Sequence, residues 1–427
     1  MYERQFMTNI LMVDCTDVSS RAIITARQIG YNLIFLRTEM TRLFSSLSEE
    51  FLIENTYKLY SIDSCLDLVA FEEKVREINE AHPLSVMFTP LEDIVESVST
   101  IAANLGIRAT SIEGVKNAKN KPRARALLHR NGLSNCTYKK CASLDALHEV
   151  VAKIGIPCII KPAKGFAKFL TAHIKNQQDV DKFIADYNDA RGKLDDIALS
   201  QVSLDFVIEQ YIDGKMYSVE VAKNEQGFFP LMLTERHRSE HNDILEIGSI
   251  MAPAGFFPRE QEIFDYCEKV LACLSLDVGV FHIEIIVSDK GIDIIEVNPR
   301  LMGGALGTLY NKSTSLSIYE IVFNAYIGSQ VKCRPASALF ATARRIAPIA
   351  SGTAQKNIGK LFIEEHCPWV LEHSINIVEG QAVLPMIDND TSLGYLHVVG
   401  VTYQDSVQKA KTATQLIQRA LGVSLSY

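Results

Sequence analysis

The stretch GVFHIEIIVSDKGIDIIEVNPRLMGG, residues 279–304, decides the fold. It combines two apolar runs with acidic, amide and guanidinium side chains that a plain core strand would avoid. Residues 280–288 and 292–298 are predicted to be β-strands, and Gly291 between them suits the left-handed position of a three-residue hairpin loop. The segment is therefore predicted to form a β-hairpin.

The register of this hairpin sets which side chains share a face. If Ser288 pairs with Ile292, one face is polar and the other is apolar, because successive side chains alternate across a strand. The apolar face then consists of Ile283, Ile285, Ile295 and Val297. The polar face pairs Glu284 with Glu296 and His282 with Asn298. Like charges directly opposed across a ladder destabilise it, so we expect a cation between the two carboxylates.

Two carboxylates and one neutral amide are hard oxygen ligands that suit Mg2+, which commonly bridges protein carboxylates and nucleotide phosphates. Arg300 follows Asn298 by two residues, and its planar fork suits a phosphoryl oxygen. The alternative is a solvent-facing edge hairpin in which the two acids have no function.

Bulk composition indicates an ordinary globular protein. The chain has 427 residues, 47% hydrophobic and 22% charged, which favours two or three domains. Its net charge of −8 argues against a general polyanion binder, so no nucleic-acid partner is expected.

Cysteine usage and hydropathy indicate the compartment. The nine cysteines include no C-x-x-C pair, so reduced core thiols are expected rather than zinc ligands. No apolar run reaches about 18 residues and the first residues lack a cleavable signal pattern. We therefore expect a cytoplasmic protein with no membrane partner.

The first hundred residues are predicted to form a small parallel α/β domain. A strand at 9–14, a helix at 19–30 and a strand at 32–37 make a βαβ unit, and a strand within 83–90 followed by a helix to Leu105 repeats the pattern. This region lacks G-x-G-x-x-G, so it is not predicted to bind a dinucleotide.

The remainder alternates helices with strands. A basic helix is predicted from about Pro122 to Gly132 with Asn120 as its cap. Further helices are predicted at 143–154, 178–190, 259–275 and 406–421. Further strands are predicted at 156–161, 206–212, 340–347 and 395–401, with mostly strands through 216–300.

Three more motifs precede the hairpin in the chain. They are Lys121 in NKPRAR, Lys161 at the end of the apolar run IGIPCIIK, and VIEQYIDG at residues 207–214. Each alone is weak. In this order, ahead of Glu-x11-Glu-x-Asn-x-Arg, they resemble the ATP-grasp superfamily over essentially the whole chain.

This resemblance implies a fold of α/β and α+β class with three parts. Residues 1–112 would form an N-terminal parallel α/β domain, the pre-ATP-grasp domain. Residues 113–325 would form the ATP-grasp nucleotide-binding region, with a small lid subdomain at about 143–212. Residues 326–427 would form a C-terminal mixed α/β part that completes the ATP-grasp domain.

The resemblance also implies site residues for ATP and two Mg2+ ions, with Mn2+ as an alternative metal. Arg300 would stabilise the transferred γ-phosphoryl group. A loop at 163–171, which includes Lys168, would close over the phosphates. The phosphate-binding lysines would be Lys121 and Lys161, the adenine-binding strand residues Glu209, Gln210 and Ile212, and the metal ligands Glu284, Glu296 and Asn298. The strand would meet adenine through backbone groups of an exposed edge.

Two departures from the family pattern stand out. The position that often holds an acid for the ribose hydroxyls is Met216 here. The loop AKGFAK at 163–168 has fewer glycines than the family usually shows, so Lys164 or Lys168 would have to substitute charge for backbone N–H groups.

Within the superfamily, the chain looks most like a carboxylate-amine ligase of the L-amino-acid ligase type, which releases ADP and phosphate through an acyl phosphate. Its EIGSIMAP segment resembles that branch's E-x-G-H-x-x-P, with Ser249 in the place of histidine. Glu246 would receive a substrate ammonium group, and Gly303 with Gly304 would offer backbone N–H groups to a carboxylate. The partners would be a small-molecule acid and amine, amino acids above all.

Two alternatives stay open. Arg344 and Arg345 would suit the anionic substrate of a carboxylase or purine-pathway ligase. The second alternative is a non-catalytic ATP-binding protein. Because cyclic dimers are the commonest soluble oligomers, a homodimer is expected.

Overall fold

The computed structural model describes residues 8–39, 41, 45–163, 170–192, 205–304, 306–333, 338–388 and 391–427. Its strands are β1 Asn9–Val13, β2 Asn32–Arg37, β3 Lys58–Ser61, β4 Val86–Phe88, β5 Tyr138–Cys141, β6 Cys158–Pro162, β7 Ala172–Ile174, β8 Phe206–Gln210, β9 Lys215–Asn224, β10 Gly227–Arg238, β11 Glu246–Met251, β12 Gly279–Ser288, β13 Gly291–Asn298, β14 Phe340–Arg345, β15 Gly352–Thr353, β16 Val370–His373, β17 Ala382–Val383 and β18 Tyr395–Gly400. Its α-helices are α1 Arg21–Ile29, α2 Glu49–Asn55, α3 Leu68–Ala81, α4 Val95–Leu105, α5 Ile112–Lys119, α6 Lys121–Arg130, α7 Leu147–Ile154, α8 Gln177–Arg191, α9 Glu260–Cys273, α10 Leu306–Thr314, α11 Ile318–Ile327, α12 Lys360–His366 and α13 Tyr403–Leu421.

The N-terminal sheet is parallel, as predicted from its βαβ pattern. Its four strands run in the order β3-β2-β1-β4, and every neighbouring pair is parallel. Both faces are covered, since β1 and β2 are apolar almost throughout and completely buried at their centres. The loop that follows the carboxyl end of β4 extends toward the rest of the chain and contributes to the site described below.

Helix α6 begins where its capping chemistry predicts. The Asn120 side chain accepts a hydrogen bond from the Arg123 backbone N–H, and Pro122 occupies the first turn. This cap fixes Lys121 at the first position of the helix. The charged end of α6 therefore lies beside the hairpin rather than in solvent.

A second four-stranded sheet, in the order β5-β8-β6-β7, covers most of the predicted lid subdomain and is called the lid sheet below. Strand β8 pairs with β5 on one edge and with β6 on the other. We predicted that Glu209 and Gln210 lie on an exposed strand edge. This prediction is wrong, because their strand is hydrogen bonded to a neighbouring strand on both edges. The strand also ends at Gln210, two residues earlier than predicted.

The largest sheet has eight strands in the order β13-β12-β9-β10-β11-β14-β18-β16. Side chains along its central strands alternate between an apolar face and a polar face. Val219, Val221 and Ile283 are fully buried with residues of α9, while Ser218 and Glu220 belong to the opposite face. That opposite face carries buried polar groups, and it forms the floor of the candidate site.

The decisive hairpin has the predicted register at its polar end. His282 lies opposite Asn298 and Glu284 opposite Glu296. A β-bulge then shifts the ladder, so Ser288 pairs with Gly291 rather than with Ile292.

The bulge also exchanges the environments of two adjacent isoleucines, Ile294 and Ile295. Ile294 is 3% exposed and joins the core, whereas Ile295 is partly exposed and lines the site cavity. The prediction that Ile295 lies on the core face is wrong, because the residue inserted at the bulge reverses the alternation beyond it. The predictions for Ile283, Ile285 and Val297 are confirmed.

All nine cysteines are free thiols and most are buried, which agrees with their predicted role in the core. Within the described ranges, no helix combines the length and apolar character needed to cross a bilayer.

Helix α5 packs closely against the turn after α9. A Cβ atom added at Gly114 would lie 2.5 Å from the Ser275 carbonyl oxygen. Gly114→Ala is therefore expected to lower the free energy of unfolding by about 1–3 kcal/mol, as overpacking does. Urea denaturation followed by circular dichroism measures the loss.

Gly192→Ala is the matched control, because Gly192 has helical backbone angles and its added Cβ would meet nothing closer than 3.5 Å. The control should leave stability unchanged or slightly higher. Equal stability of the two variants would contradict the packing at Gly114.

Candidate active site

A cavity of about 620 Å³ lies where the lid sheet, the hairpin and the eight-stranded sheet meet. All but one of the predicted site residues line it. These are Lys121, Lys161, Glu209, Gln210, Ile212, Glu246, Ser249, Glu284, Glu296, Asn298, Arg300, Gly303 and Gly304. Lys168, with the rest of segment 164–169, lies outside the described residues.

Lys121 compensates one of the two opposed carboxylates. Its Nζ lies 2.9 Å from Glu296 Oε1, and both side chains are mostly buried. Burial opposes a charged ammonium, but the Glu296 carboxylate raises the pKa of Lys121 above its ordinary value. The Lys121 ammonium, at the start of α6, thus supplies part of the positive charge expected near the two carboxylates.

The other carboxylate, Glu284, lies beside a buried imidazole. His282 Nδ1 lies 2.5 Å from Glu220 Oε1, and its Nε2 lies 3.5 Å from Glu284 Oε1. Burial disfavours the imidazolium, yet the Glu220 and Glu284 carboxylates raise the pKa of His282 to about 9. The two neighbouring carboxylates therefore favour the imidazolium form of His282, which places positive charge beside Glu284.

The lid contributes a buried charge network centred on Glu209. Its carboxylate accepts hydrogen bonds from Arg125 Nε at 2.6 Å, Arg125 Nη2 at 2.9 Å and Lys161 Nζ at 2.9 Å. Burial favours the neutral acid, but the charges of Arg125 and Lys161 hold the pKa of Glu209 well below its usual range. The Glu209 side chain therefore orients Lys161 toward the cavity.

Arg125 also ties the lid network to the hairpin. Its Nη1 donates a hydrogen bond of 2.5 Å to the Ile294 carbonyl oxygen, next to the bulge. Sequence reasoning noted Arg125 only as part of a basic helix. The signal that singles it out is the spacing K-P-R-A-R, which places Lys121 and Arg125 four residues apart on one face of α6.

Arg300 is paired with an acid from the N-terminal domain. Its Nη2 lies 2.5 Å from Glu92 Oε2, and Lys119 Nζ lies 3.5 Å from Glu92 Oε1. Burial would raise the pKa of Glu92, but the charges of Arg300 and Lys119 lower it to about 2. Glu92 was missed from the sequence, although loops at the carboxyl ends of parallel strands commonly carry site residues.

Glu246, which also lines the cavity, is 3% exposed and accepts a hydrogen bond of 2.7 Å from Arg236 Nε. Burial opposes the charge of Arg236, but the Glu246 and Glu284 carboxylates raise its pKa. Arg236 was not predicted from the sequence. A bulge between β10 and β11 brings Glu246 opposite Arg238, so Glu246 and Arg236 reach one face.

Several polar atoms on the floor have no hydrogen-bond partner in the described part of the chain. They are Ser218 Oγ, Glu220 Oε2, Thr234 Oγ1 and Arg236 Nη1. A buried polar atom without a partner costs free energy. Of these four residues Arg236 lines the cavity, so its Nη1 is the atom suited to a polar or ionic occupant.

The residues fit a divalent cation that keeps other ligands. The described residues contain no cluster of three or more His, Cys, Asp or Glu side chains able to hold a metal ion by themselves. Glu284, Glu296 and Asn298 offer two carboxylates and one amide on adjacent paired positions. This donor set suits Mg2+, which retains waters and binds phosphate oxygens.

Comparisons with known proteins bear on the fold that carries this cavity. Residues 154–309 match the ATP-grasp domain family. The structure of an L-amino acid ligase from Bacillus licheniformis superposes with a TM-score of 0.75 over 98% of both chains, at 16% sequence identity. Likeness at this identity shows the fold, and the predicted ATP-grasp fold is confirmed.

Two curated relatives match parts of the chain. The alanine–anticapsin ligase of Bacillus amyloliquefaciens is 19% identical over 54% of this chain and 51% of its own length. A formate-dependent phosphoribosylglycinamide formyltransferase of Chlorobaculum tepidum is 24% identical over 47% of this chain and 48% of its own length. The chain thus spans about half the length of both relatives.

The Glu209 network should dominate the stability of the lid junction. Glu209→Gln leaves Arg125 and Lys161 without their buried partner, so it is expected to lower the free energy of unfolding by about 3–5 kcal/mol at pH 7. Because the folded pKa of Glu209 is lowered, this contribution is present above the unfolded pKa of about 4.3 and falls as pH drops below it. Urea denaturation at pH 7 and at lower pH measures the difference between the two proteins.

Glu262→Gln is the matched control. Glu262 pairs with Arg259 with similar two-pronged geometry, at 2.7 and 2.6 Å, but on the surface. Exposed pairs are screened by solvent, so this variant should lose much less stability. Equal losses in both variants would contradict the burial of the Glu209 network.

Proposed function

This chain carries an ATP-grasp domain in an ATP-grasp fold, and on that premise we propose that it is an ATP-dependent carboxylate-amine ligase. It activates a carboxylate as an acyl phosphate and joins it to an amine, releasing ADP and phosphate. The observation that carries the proposal is the opposition of Glu284 and Glu296 across the hairpin, in one cavity with Lys121, Lys161 and Arg300.

In this proposal Glu284, Glu296 and Asn298 hold two Mg2+ ions, and Mn2+ is an alternative metal. Bound there, the metal neutralises the negative charge of the nucleotide phosphates. His282 Nε2 lies 3.5 Å from Glu284, and Lys121 Nζ lies 2.9 Å from Glu296, so each carboxylate has a cationic neighbour. These neighbours offset part of the repulsion between the two opposed carboxylates.

The nucleotide occupies the lid end of the cavity. The backbone N–H groups of Gln210 and Tyr211 are bonded to Thr137 and Pro157 carbonyl oxygens at 2.8 and 3.1 Å. Ile212 is the cavity-lining position beyond these bonds, so its backbone is the one assigned to adenine. Lys161, held by Glu209, reaches the phosphates, and Lys168 and the remaining loop residues are assigned to cover them.

Arg300 is the cation assigned to the transferred phosphoryl group. Glu92 holds its guanidinium at the junction of the N-terminal domain and the hairpin, so its position is fixed before substrate binds. Phosphoryl transfer depends mainly on positioning and charge neutralisation. Arg300 supplies both at the point where the γ-phosphoryl meets the acid.

The two organic substrates are assigned to Gly303, Gly304, Glu246 and Ser249, which line the cavity. Gly303 and Gly304 offer backbone N–H groups to the carboxylate, and Gly304 has a left-handed backbone with φ of 59°. Glu246 and Ser249 line the same cavity and are assigned to the amine substrate. Since the Glu246 charge is already balanced by Arg236, its contact with a substrate ammonium stays a prediction. The L-amino acid ligase likeness and the alanine–anticapsin ligase relative support amino acids as the substrate class.

A carboxylase or purine-pathway ligase is the second candidate function. The formyltransferase relative supports it, and so do Arg344 and Arg345, which line the cavity. A non-catalytic ATP-binding protein is a third possibility, against which the intact set of phosphate-facing cations argues.

ATP-dependent phosphate release separates these functions. Paired amino acids, bicarbonate and formate are each supplied with ATP and Mg2+, and product mass is recorded. Phosphate release that requires both an acid and an amine, with an amide product, supports the ligase. Release with bicarbonate or formate supports the second candidate, and no release with any combination contradicts catalysis.

Glu296→Gln is expected to reduce turnover at least a thousandfold, because it removes one metal-binding carboxylate while keeping its shape. Asp289→Asn, at the exposed tip of the same hairpin, is the control and should keep full activity. Steady-state phosphate release measures both. A Glu296→Gln rate within tenfold of the wild-type rate would overturn the assigned role.

Lys161→Met is expected to weaken ATP binding at least tenfold, since a charge-assisted contact to phosphate is lost. Lys153→Met removes an exposed lysine of α7 that pairs with Glu149 on the surface, and it should bind ATP normally. Isothermal titration calorimetry with a non-hydrolysable ATP analogue and Mg2+ compares them. Unchanged affinity in Lys161→Met would argue against phosphate contact.

A further inference from the structure

Joining an acyl phosphate to an amine requires a proton acceptor in the cavity, because an ammonium group has no lone pair with which to attack. Most carboxylates that line the cavity are already held by cations of this chain. These are Glu92, Glu209, Glu246 and Glu296. Two histidines line the cavity among the described residues, and one of them, His282, lies between Glu220 and Glu284. The other histidine, His397, therefore remains as the candidate proton acceptor.

His397 lies on the face of the eight-stranded sheet that borders the cavity. Its neighbours Leu396 and Val398 are fully buried in the core that includes residues of α13, and successive side chains of a strand point to opposite faces. His397 pairs with Ala343 on β14, and Ala343 pairs with Ser249 on β11. The three residues therefore form one row across the sheet, and all three line the cavity.

The middle residue of this row leaves room for a substrate. Ala343 carries only a methyl group, so its side chain does not fill the space between Ser249 and His397. Adjacent strands are about 4.8 Å apart, which puts Ser249 and His397 roughly 10 Å apart across two strands. An amino acid can bridge that distance. An amine assigned to Ser249 is therefore within reach of the His397 imidazole.

A carboxylate lies on the other side of His397. Glu372 on β16 is paired directly with His397, and its Oε2 lies 3.8 Å from His397 Nδ1. Contact with His397 lowers the pKa of the Glu372 carboxyl, and the charge of Arg21 lowers it further, although partial burial opposes both. An anionic carboxylate favours the tautomer with its proton on Nδ1, which leaves Nε2 to accept a proton.

Arg21 connects this pair to the Gly303–Gly304 turn, which is assigned to the substrate carboxylate. Its Nη2 lies 3.2 Å from Glu372 Oε1, and its Nη1 donates a hydrogen bond to Thr308 Oγ1. Thr308 lies in the first turn of α10, which begins two residues after Gly304. The histidine–glutamate pair is thus linked to both places assigned to the substrates, through the sheet row to Ser249 and through Arg21 to the glycine turn.

We propose that His397 is the general base that takes a proton from the substrate ammonium, and that Glu372 is a positioning residue that orients its imidazole. The freed amine nitrogen attacks the acyl carbon, the C–N bond forms, and the C–O bond to the phosphate breaks. One proton of the nitrogen passes to His397 Nε2, and a second leaves with the departing phosphate. The proposal rests on the proposed ligase function and names the residue that serves its amine step.

A purely structural role for His397 predicts something different. If His397 only held β16 against β18, its loss would impair every reaction of the protein alike. A general base instead serves amines that arrive protonated. Hydroxylamine is uncharged at neutral pH, so it attacks an acyl phosphate without prior deprotonation and gives a hydroxamate. The ratio of amide to hydroxamate formation therefore reports proton transfer from the amine.

The test supplies each protein amino acid with ATP and Mg2+, either in pairs or singly with hydroxylamine, to the wild-type protein and three variants. Amide is measured by product mass and hydroxamate by its coloured iron(III) complex. The variants are His397→Gln, Glu372→Gln and His366→Gln, the last replacing an exposed histidine of α12 as the control.

His397→Gln is expected to lower amide formation about a hundredfold or more, the usual contribution of a general base, while hydroxamate formation stays within about twofold of the wild-type rate. Glu372→Gln should lower amide formation by a smaller factor and also keep hydroxamate formation. His366→Gln should keep both. Equal loss of both products in a folded His397→Gln protein, or undiminished amide formation, would overturn the role of His397.

Two further outcomes are decided by the same measurements. If circular dichroism shows that His397→Gln is unfolded, Glu372→Gln decides, since selective loss of amide supports the pair and equal loss or no loss overturns it. Wild-type amide formation that His397→Gln retains supports the ligase and overturns the base alone. Hydroxamate without amide from any pair, or neither product, in the wild-type protein would contradict the ligase function and overturn the base with it.

Discussion

The structure depends on holding two carboxylates, Glu284 and Glu296, opposite each other on paired strands. Such a pair is unfavourable unless each member has a positive neighbour. His282 supplies that neighbour for Glu284, and Lys121 supplies it for Glu296. The arrangement therefore offsets the repulsion between the two acids while leaving carboxylate oxygens that could bind a divalent metal ion.

The same principle joins the parts of the molecule into one site. Glu209 of the lid binds Arg125 of α6, and Arg125 in turn binds the Ile294 carbonyl oxygen of the hairpin. Glu92 of the N-terminal domain binds Arg300. Each contact joins two different parts of the fold through buried opposite charges. Breaking one pair leaves an uncompensated charge, so these contacts couple the packing of the parts to the electrostatics of the cavity.

Sequence patterns predicted the elements whose causes are local. Alternating polarity gave the register of Glu284 and Glu296, and capping chemistry gave the start of α6 at Lys121. The bulge at Ile295 escaped prediction, because the Ile294 carbonyl interacts with Arg125, which lies far away in the chain. Glu92 and Arg236 were missed for the same reason, since only the packed sheets bring them into the cavity. The strand carrying Glu209 was assigned an open edge because sequence alone does not show that β5 and β6 cover both sides.

The most direct test of the account is to count bound Mn2+ by electron paramagnetic resonance with a non-hydrolysable ATP analogue present. The wild-type protein is compared with the double variant Glu284→Gln/Glu296→Gln. The account predicts that the wild-type protein retains metal and nucleotide together and that the double variant loses the protein-bound metal. The same number of bound Mn2+ ions in both proteins would contradict the claim that the opposed carboxylates hold the metal.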